Sequence, residues 1–118
     1  MYSTVITGAV QGISAYPVSV EVDISPGLPV FNLVGSLSQE VREAKERVSV
    51  ALRNTGFHLP PSRITVNLSP ANRRKEGTAF DLPIAVGLLS AMSQFSDKRA
   101  EGMLFLGELG LDGEIKGV

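Results

Sequence analysis

Apolar and polar residues alternate at period two from Val5 to Ile13, and again through Val18, Val20, Val22 and Ile24, the spacing of half-buried strands. Gly12 to Pro17 reads as the break between these strands. Ser25-Pro26-Gly27 reads as a second turn, because proline presets φ and glycine accepts positive φ. Val30 to Val34, closed by Gly35, completes an expected three-strand meander. From Leu37 to Asn54 the period lengthens, and Val41, Ala44, Val48, Ala51 and Leu52 fall on one face with Glu, Arg and Lys on the others. This predicts an amphipathic helix, capped by Ser36 or Ser38 and stopped at Asn54-Thr55-Gly56. Its charge run EVREAKER reads as a solvated face with i,i+4 pairs Arg42–Glu46 and Glu43–Arg47.

Pro60-Pro61 precede a further strand, Arg63 to Leu68, with Ile64, Val66 and Leu68 on one side. A polar loop, SPANRRKEGTAF, then leads to a second helix from Leu82 to about Gln94. Asp81 is expected to cap that helix, and Pro83 falls in the first turn, where a missing N–H is tolerated. Nearly all of its side chains are apolar, which places it inside the fold. The charged stretch SDKRAEG leads to Met103–Leu111, and Asp112-Gly113 suggests a two-residue hairpin turn with a returning strand from Glu114. The elements argue for an α/β class. The sequence stops at Val118 inside that last strand, so the chain reads as a piece of a longer protein.

Composition narrows the chemistry. A length of 118 residues predicts one domain, 1–118. The absence of cysteine removes disulfides, thiolate zinc sites and iron–sulfur clusters, and fits a reducing compartment, so the cytoplasm is expected. There is no basic-then-apolar leader and no run of 18 apolar residues, so no membrane is expected as a partner. Eleven basic against twelve acidic side chains give a net charge of −1, which argues against a broad pull toward nucleic acid and leaves room for a local patch. No G-x-x-x-x-G-K-[ST] is present, so no phosphate-cradling loop is predicted. His58, the sole histidine, has no acidic or cysteine partner at ligand spacing, and no G-x-S-x-G elbow presents a serine. The densest charge is Arg73-Arg74-Lys75, a candidate contact for a phosphate backbone or for an acidic surface on a neighbouring subunit. Gly77 is expected to permit a tight turn there, and Glu76 to pair with Arg73 or Arg74.

Five ordered motifs, GLPVFNLVG, EAKERV, RITVNLSPA, RKEGTAFDLPIAVGLL and FLGELGLDGEIKGV, span almost the whole chain. Together they resemble the N-terminal domain of the magnesium-chelatase-like AAA+ family, which includes competence proteins of the ComM type. The resemblance implies a ribosomal protein S-five domain 2-like fold, also that of the Lon protease catalytic domain: a mixed sheet with two main helices packed on it. It implies a following ATPase module that holds ATP and Mg, assembly into a ring, and a role on DNA. The partners implied are that module, neighbouring subunits and single-stranded DNA, with no cofactor in this chain itself. In the Lon motif K-D-G-P-S-A-G the nucleophile is serine; the matching stretch here is Lys75-Glu76-Gly77-Thr78-Ala79-Phe80-Asp81, with Ala79 in its place. A methyl group cannot attack a carbonyl, so no catalytic residue is expected in this chain. Two other readings stand beside the ATPase module: a degenerate Lon-type serine peptidase using Thr78, and a stand-alone nucleic-acid-binding domain, which would call for a more basic, aromatic-rich surface.

Overall fold

The computed structural model describes residues 1–92, 105 and 107–117. Strands β1 (Tyr2–Gln11) and β2 (Ser14–Ser25) form an antiparallel hairpin, from Tyr2 opposite Asp23 to Gln11 opposite Ser14. The break expected over residues 12–17 therefore shrinks to Gly12-Ile13. Gly12 takes φ of 61° and opens the two-residue loop, with the positive φ that primed hairpin turns need there. Pro17 lies inside β2, where its ring is harmless. Met1 and Ile24 exchange backbone bonds at 2.7 and 2.8 Å, so even-numbered residues of β2 face β1 with their N–H groups and odd-numbered ones face the other neighbour. That neighbour, β4 (Arg63–Ser69), begins pairing only at Ser19, so the missing N–H of Pro17 costs no ladder bond.

The expected meander is corrected by the topology. Strand β3 (Val30–Val34) does not pair with β2; it runs parallel to β4, giving the order β1-β2-β4-β3. Parallel neighbours need a crossover, and here the helical segment between β3 and β4 supplies it. That segment is two helices, α1 (Gln39–Arg42) and α2 (Ala44–Asn54), rather than one. Ser38 caps α1, its hydroxyl oxygen accepting the Val41 N–H at 3.2 Å, while Glu43 forms the junction. The Glu40 carbonyl at this junction accepts from the Arg47 guanidinium at 2.8 Å. The buried seam of Val41, Ala44 and Val48 runs through the break uninterrupted. At the far end, Gly56 takes φ of 91° and its N–H donates to the Arg53 carbonyl, while the Phe57 N–H donates to that of Leu52. These two bonds are the Schellman arrangement that the Asn-Thr-Gly stop anticipates.

Helix α3 (Asp81–Ala91) packs on β1 and β2 and is buried over most of its surface. Close approach is possible because of Gly87, where an added Cβ would lie 2.8 Å from Val22 Cγ2. The Ser3 hydroxyl donates to the Gly87 carbonyl at 2.7 Å and fixes the contact. One continuous core joins Val5, Val18, Val20, Val22, Ile64, Val66 and Leu68 of the sheet to Val48, Ile84 and Leu88 of the helices. The opposite sheet face carries polar pairs: Asn67 Nδ2 donates to Glu21 Oε1 at 2.7 Å, and Thr4 Oγ1 to the Tyr2 hydroxyl at 2.9 Å. The result is the expected α/β arrangement, a mixed sheet with two main helices on one face.

Strands β5 (Glu108–Leu109) and β6 (Ile115–Lys116) form a separate small hairpin. Its turn is also corrected. Gly110 N–H donates to the Glu114 carbonyl at 2.8 Å and Gly113 N–H to the Gly110 carbonyl at 2.9 Å, leaving a three-residue loop with Gly113 at φ of 88°. Glycine in the left-handed position of a three-residue loop satisfies the same Asp-Gly signal as a two-residue turn, which is why the pattern misled. Phe105 bonds the outer edge of β1, its N–H donating to the Ile6 carbonyl at 3.0 Å and its carbonyl accepting from Thr7 Oγ1 at 2.7 Å. The expected continuation of the second helix to Gln94, the SDKRAEG loop, and Met103, Leu104 and Leu106 lie outside the described residues. Among those described, no helix is long and apolar enough to cross a membrane.

Candidate interface on the loop between β4 and α3

The loop from Pro70 to Phe80 carries the Arg73-Arg74-Lys75 triplet, and the structure divides it. Lys75 is 1% exposed. Its backbone forms a parallel bridge with Leu37: the Lys75 N–H donates to the Ser36 carbonyl, and the Ser38 N–H donates to the Lys75 carbonyl, both at 2.9 Å. Its Nζ turns back and donates to the Pro70 carbonyl, closing the loop on itself. Burial lowers the lysine from its ordinary value of 10.5, since an ammonium gives up hydration there.

A residue held in an extended bridge points opposite to its two neighbours, and Arg74 and Glu76 are accordingly both exposed. They face each other, Arg74 Nε lying 3.4 Å from Glu76 Oε1 with side chains 61% and 72% exposed. The expected pairing of Glu76 therefore goes to Arg74. Arg73 reaches another element: its guanidinium carbon stands 4.4 Å above the centre of the Tyr16 ring on β2. Gly77 takes φ of 86°, the turn expected of it. The structure thus displays Arg73 and Arg74 at the surface and uses Lys75 as an internal strut.

The end of the loop corrects one expectation. Phe80 holds the cap position of α3 with no side-chain cap bond, so Asp81 does not cap the helix. Its carboxylate, 3% exposed, is taken by Arg47 of α2, with Nε at 2.6 Å from Oδ2 and Nη2 at 3.0 Å from Oδ1. The two-pronged guanidinium satisfies both oxygens in the bidentate geometry that arginine favours. The bond to Asp81 is the main cause that raises Arg47 above its ordinary value. Sequence reasoning placed Arg47 on a solvated face. The available signal was that Asp81 sits beside an otherwise apolar helix and requires a partner once buried. Ala79, which the resemblance sets against the Lon serine, is exposed just before α3, as is Thr78. His58 is exposed, and no cluster of His, Asp and Glu among the described residues could hold a metal.

Residues 20–118 match the family described as subunit ChlI of Mg-chelatase. The chain belongs to that family. It is 44% identical over 116 residues to the uncharacterized protein YifB of Escherichia coli K12, covering 98% of this chain and 23% of that protein. It is 46% identical over 114 residues to the competence protein ComM of Haemophilus influenzae, covering 97% of this chain and 22% of that one. The uncharacterized protein Rv2897c of Mycobacterium tuberculosis is 40% identical over 110 residues, or 93% of this chain and 22% of that protein. The chain thus spans less than a quarter of the length of these relatives. This bears out the magnesium-chelatase-like, ComM-type resemblance carried by the five motifs.

Proposed function

We propose that this chain is the non-catalytic N-terminal module of a magnesium-chelatase-like AAA+ ATPase in the cytoplasm, and that it mediates contact with single-stranded DNA and with neighbouring subunits of a ring. One observation carries the reading: Arg73 and Arg74 stand exposed on a loop that Lys75 pins from within. A cation held on a pre-ordered loop loses less entropy on meeting a phosphate than one on a free loop. The relatives extend well beyond the matched segment, which leaves room for a motor holding ATP and Mg outside this chain. The name of the H. influenzae relative, competence protein ComM, supports a DNA-processing role. The peptidase reading gains nothing from the loop, where alanine occupies the position of the Lon serine.

The test uses the full-length protein. Arg73→Glu/Arg74→Glu is expected to weaken single-stranded DNA binding about tenfold or more at low salt, while ATP hydrolysis without DNA is unchanged. Undiminished DNA binding would remove the loop from the DNA path. Covalent labelling of Thr78 by a serine-directed probe would overturn the non-catalytic reading.

A further inference from the structure

The β1–β2 hairpin carries an apolar tip that stands exposed among the described residues. Ile13 is fully exposed, at 107% of its reference area, and Val10 is 79% exposed. The bare aliphatic side chain of Ile13 at a two-residue turn gains nothing for the fold, since burial is what makes it stabilising. Tyr16 lies three residues after Ile13 and opposite Ala9, two rungs below the end of the ladder, or about 7 Å at the usual strand rise. Above its ring stands Arg73. The topology thus brings a bare apolar tip and an exposed arginine from a distant loop to the same end of the sheet.

We propose that the hairpin tip at Ile13, together with the Tyr16–Arg73 stack, forms a contact site for single-stranded nucleic acid. This rests on the reading of Arg73 and Arg74 as DNA contacts and names the rest of the site. One face of the Arg73 guanidinium lies against Tyr16, and the exposed side chain offers its other face to a base, since guanidinium planes and aromatic rings are the surfaces on which unpaired bases stack. Arg74 answers an adjacent phosphate by exchanging its exposed bond to Glu76, a pair that such exposure leaves weak. Ile13 presents the kind of aliphatic wedge that lodges between unstacked bases. A duplex offers no such gap without prior unstacking, and the overall charge of −1 supplies no general attraction to its backbone. Base contact therefore decides the preference, and single strands satisfy it. With two arginines engaged, log K falls with log salt at a slope of about −1.4, a shallow dependence.

The decisive experiment replaces Ile13 by a photo-crosslinking phenylalanine derivative in the full-length protein and irradiates it with a radiolabelled oligothymidylate. A fully exposed turn position tolerates the substitution, and circular dichroism checks the fold. We expect a protein–DNA adduct that excess unlabelled single strand abolishes and equimolar duplex leaves largely intact. In parallel, Ile13→Ser is expected to reduce single-strand affinity about threefold without altering the salt slope, whereas Arg73→Gln/Arg74→Gln flattens it. If the arginine variant weakens binding but Ile13 gives no adduct, the hairpin proposal fails and the arginine reading stands. If neither variant alters binding, both fail. An adduct between protein chains in place of DNA makes the tip a subunit contact and overturns the proposal.

Discussion

Lys75 is a cation placed where cations are costly, and its burial has a pH signature. Its folded-state value is lowered from 10.5 by loss of hydration, so at alkaline pH the unfolded chain keeps a proton that the folded chain has released. Stability therefore rises with pH through a window that closes near 10.5, and is lowest, as far as this group is concerned, at neutral pH. Urea unfolding of the chain and of Lys75→Met from neutral to alkaline pH checks this: the rise should be present in the first and absent in the second. A second single-residue constraint is Gly35, at φ of 137°, where an added Cβ would lie 2.9 Å from the Leu68 carbonyl oxygen. A backbone oxygen cannot swing aside as a side chain can, so Gly35→Ala should lose about 2–3 kcal/mol, measured by the same unfolding curves. Gly35 was readable as a position needing freedom because it closes an apolar strand. Lys75 was not, because three consecutive cations look alike in composition. Only the bridge to Leu37 assigns Arg74 and Glu76 to one side and the lysine to the other.

Between elements, the joint that matters most for the candidate loop is Arg47–Asp81. It ties α2 to the first turn of α3 at 2.6 Å, directly after the loop that carries Arg73 and Arg74. Arg47→Ala leaves a carboxylate that is 3% exposed without its partner, a change that costs about 3–5 kcal/mol in buried pairs. Arg47→Ala/Asp81→Ala should recover part of that loss, because the unpaired charge goes with its partner. Thermal unfolding of the two single variants and the double variant gives the coupling directly. The strands and helices themselves were legible, since period two and period 3.6 are local properties. What joins them was not. The order β1-β2-β4-β3 puts a later strand between two earlier ones, and the Ser25-Pro26-Gly27 turn looks the same whether the next strand pairs with β2 or skips a place. In the same way, Arg47 fits a solvated helix face by its spacing, and only the packing of α3 reveals its acid.

At the scale of the whole molecule, the four-stranded sheet and the β5–β6 hairpin are held by very different means. The sheet shares its core with α2 and α3, whereas the small hairpin has two paired residues per strand, with Ile115 62% and Leu111 55% exposed. A two-stranded ribbon of that size is not stable alone in water, so its order depends on docking. Among the described residues, Asn54 Nδ2 at the end of α2 donates to the Leu111 carbonyl at 2.7 Å, and Leu109 and Ile115 line an apolar crevice of about 190 Å³ with Leu52, Phe57 and Leu89. Local opening free energies follow the density of buried contacts, so the hairpin should open well below the energy of global unfolding. Native-state hydrogen exchange is the measurement. The Gly110 amide, bonded across the hairpin, should exchange much faster than the β2 and β4 amides of the central ladder. Asn54→Ala removes the side-chain bond to the hairpin, so it should speed exchange at Gly110 and leave the central ladder unchanged. If both regions sped up together, the hairpin would belong to the same cooperative unit as the sheet.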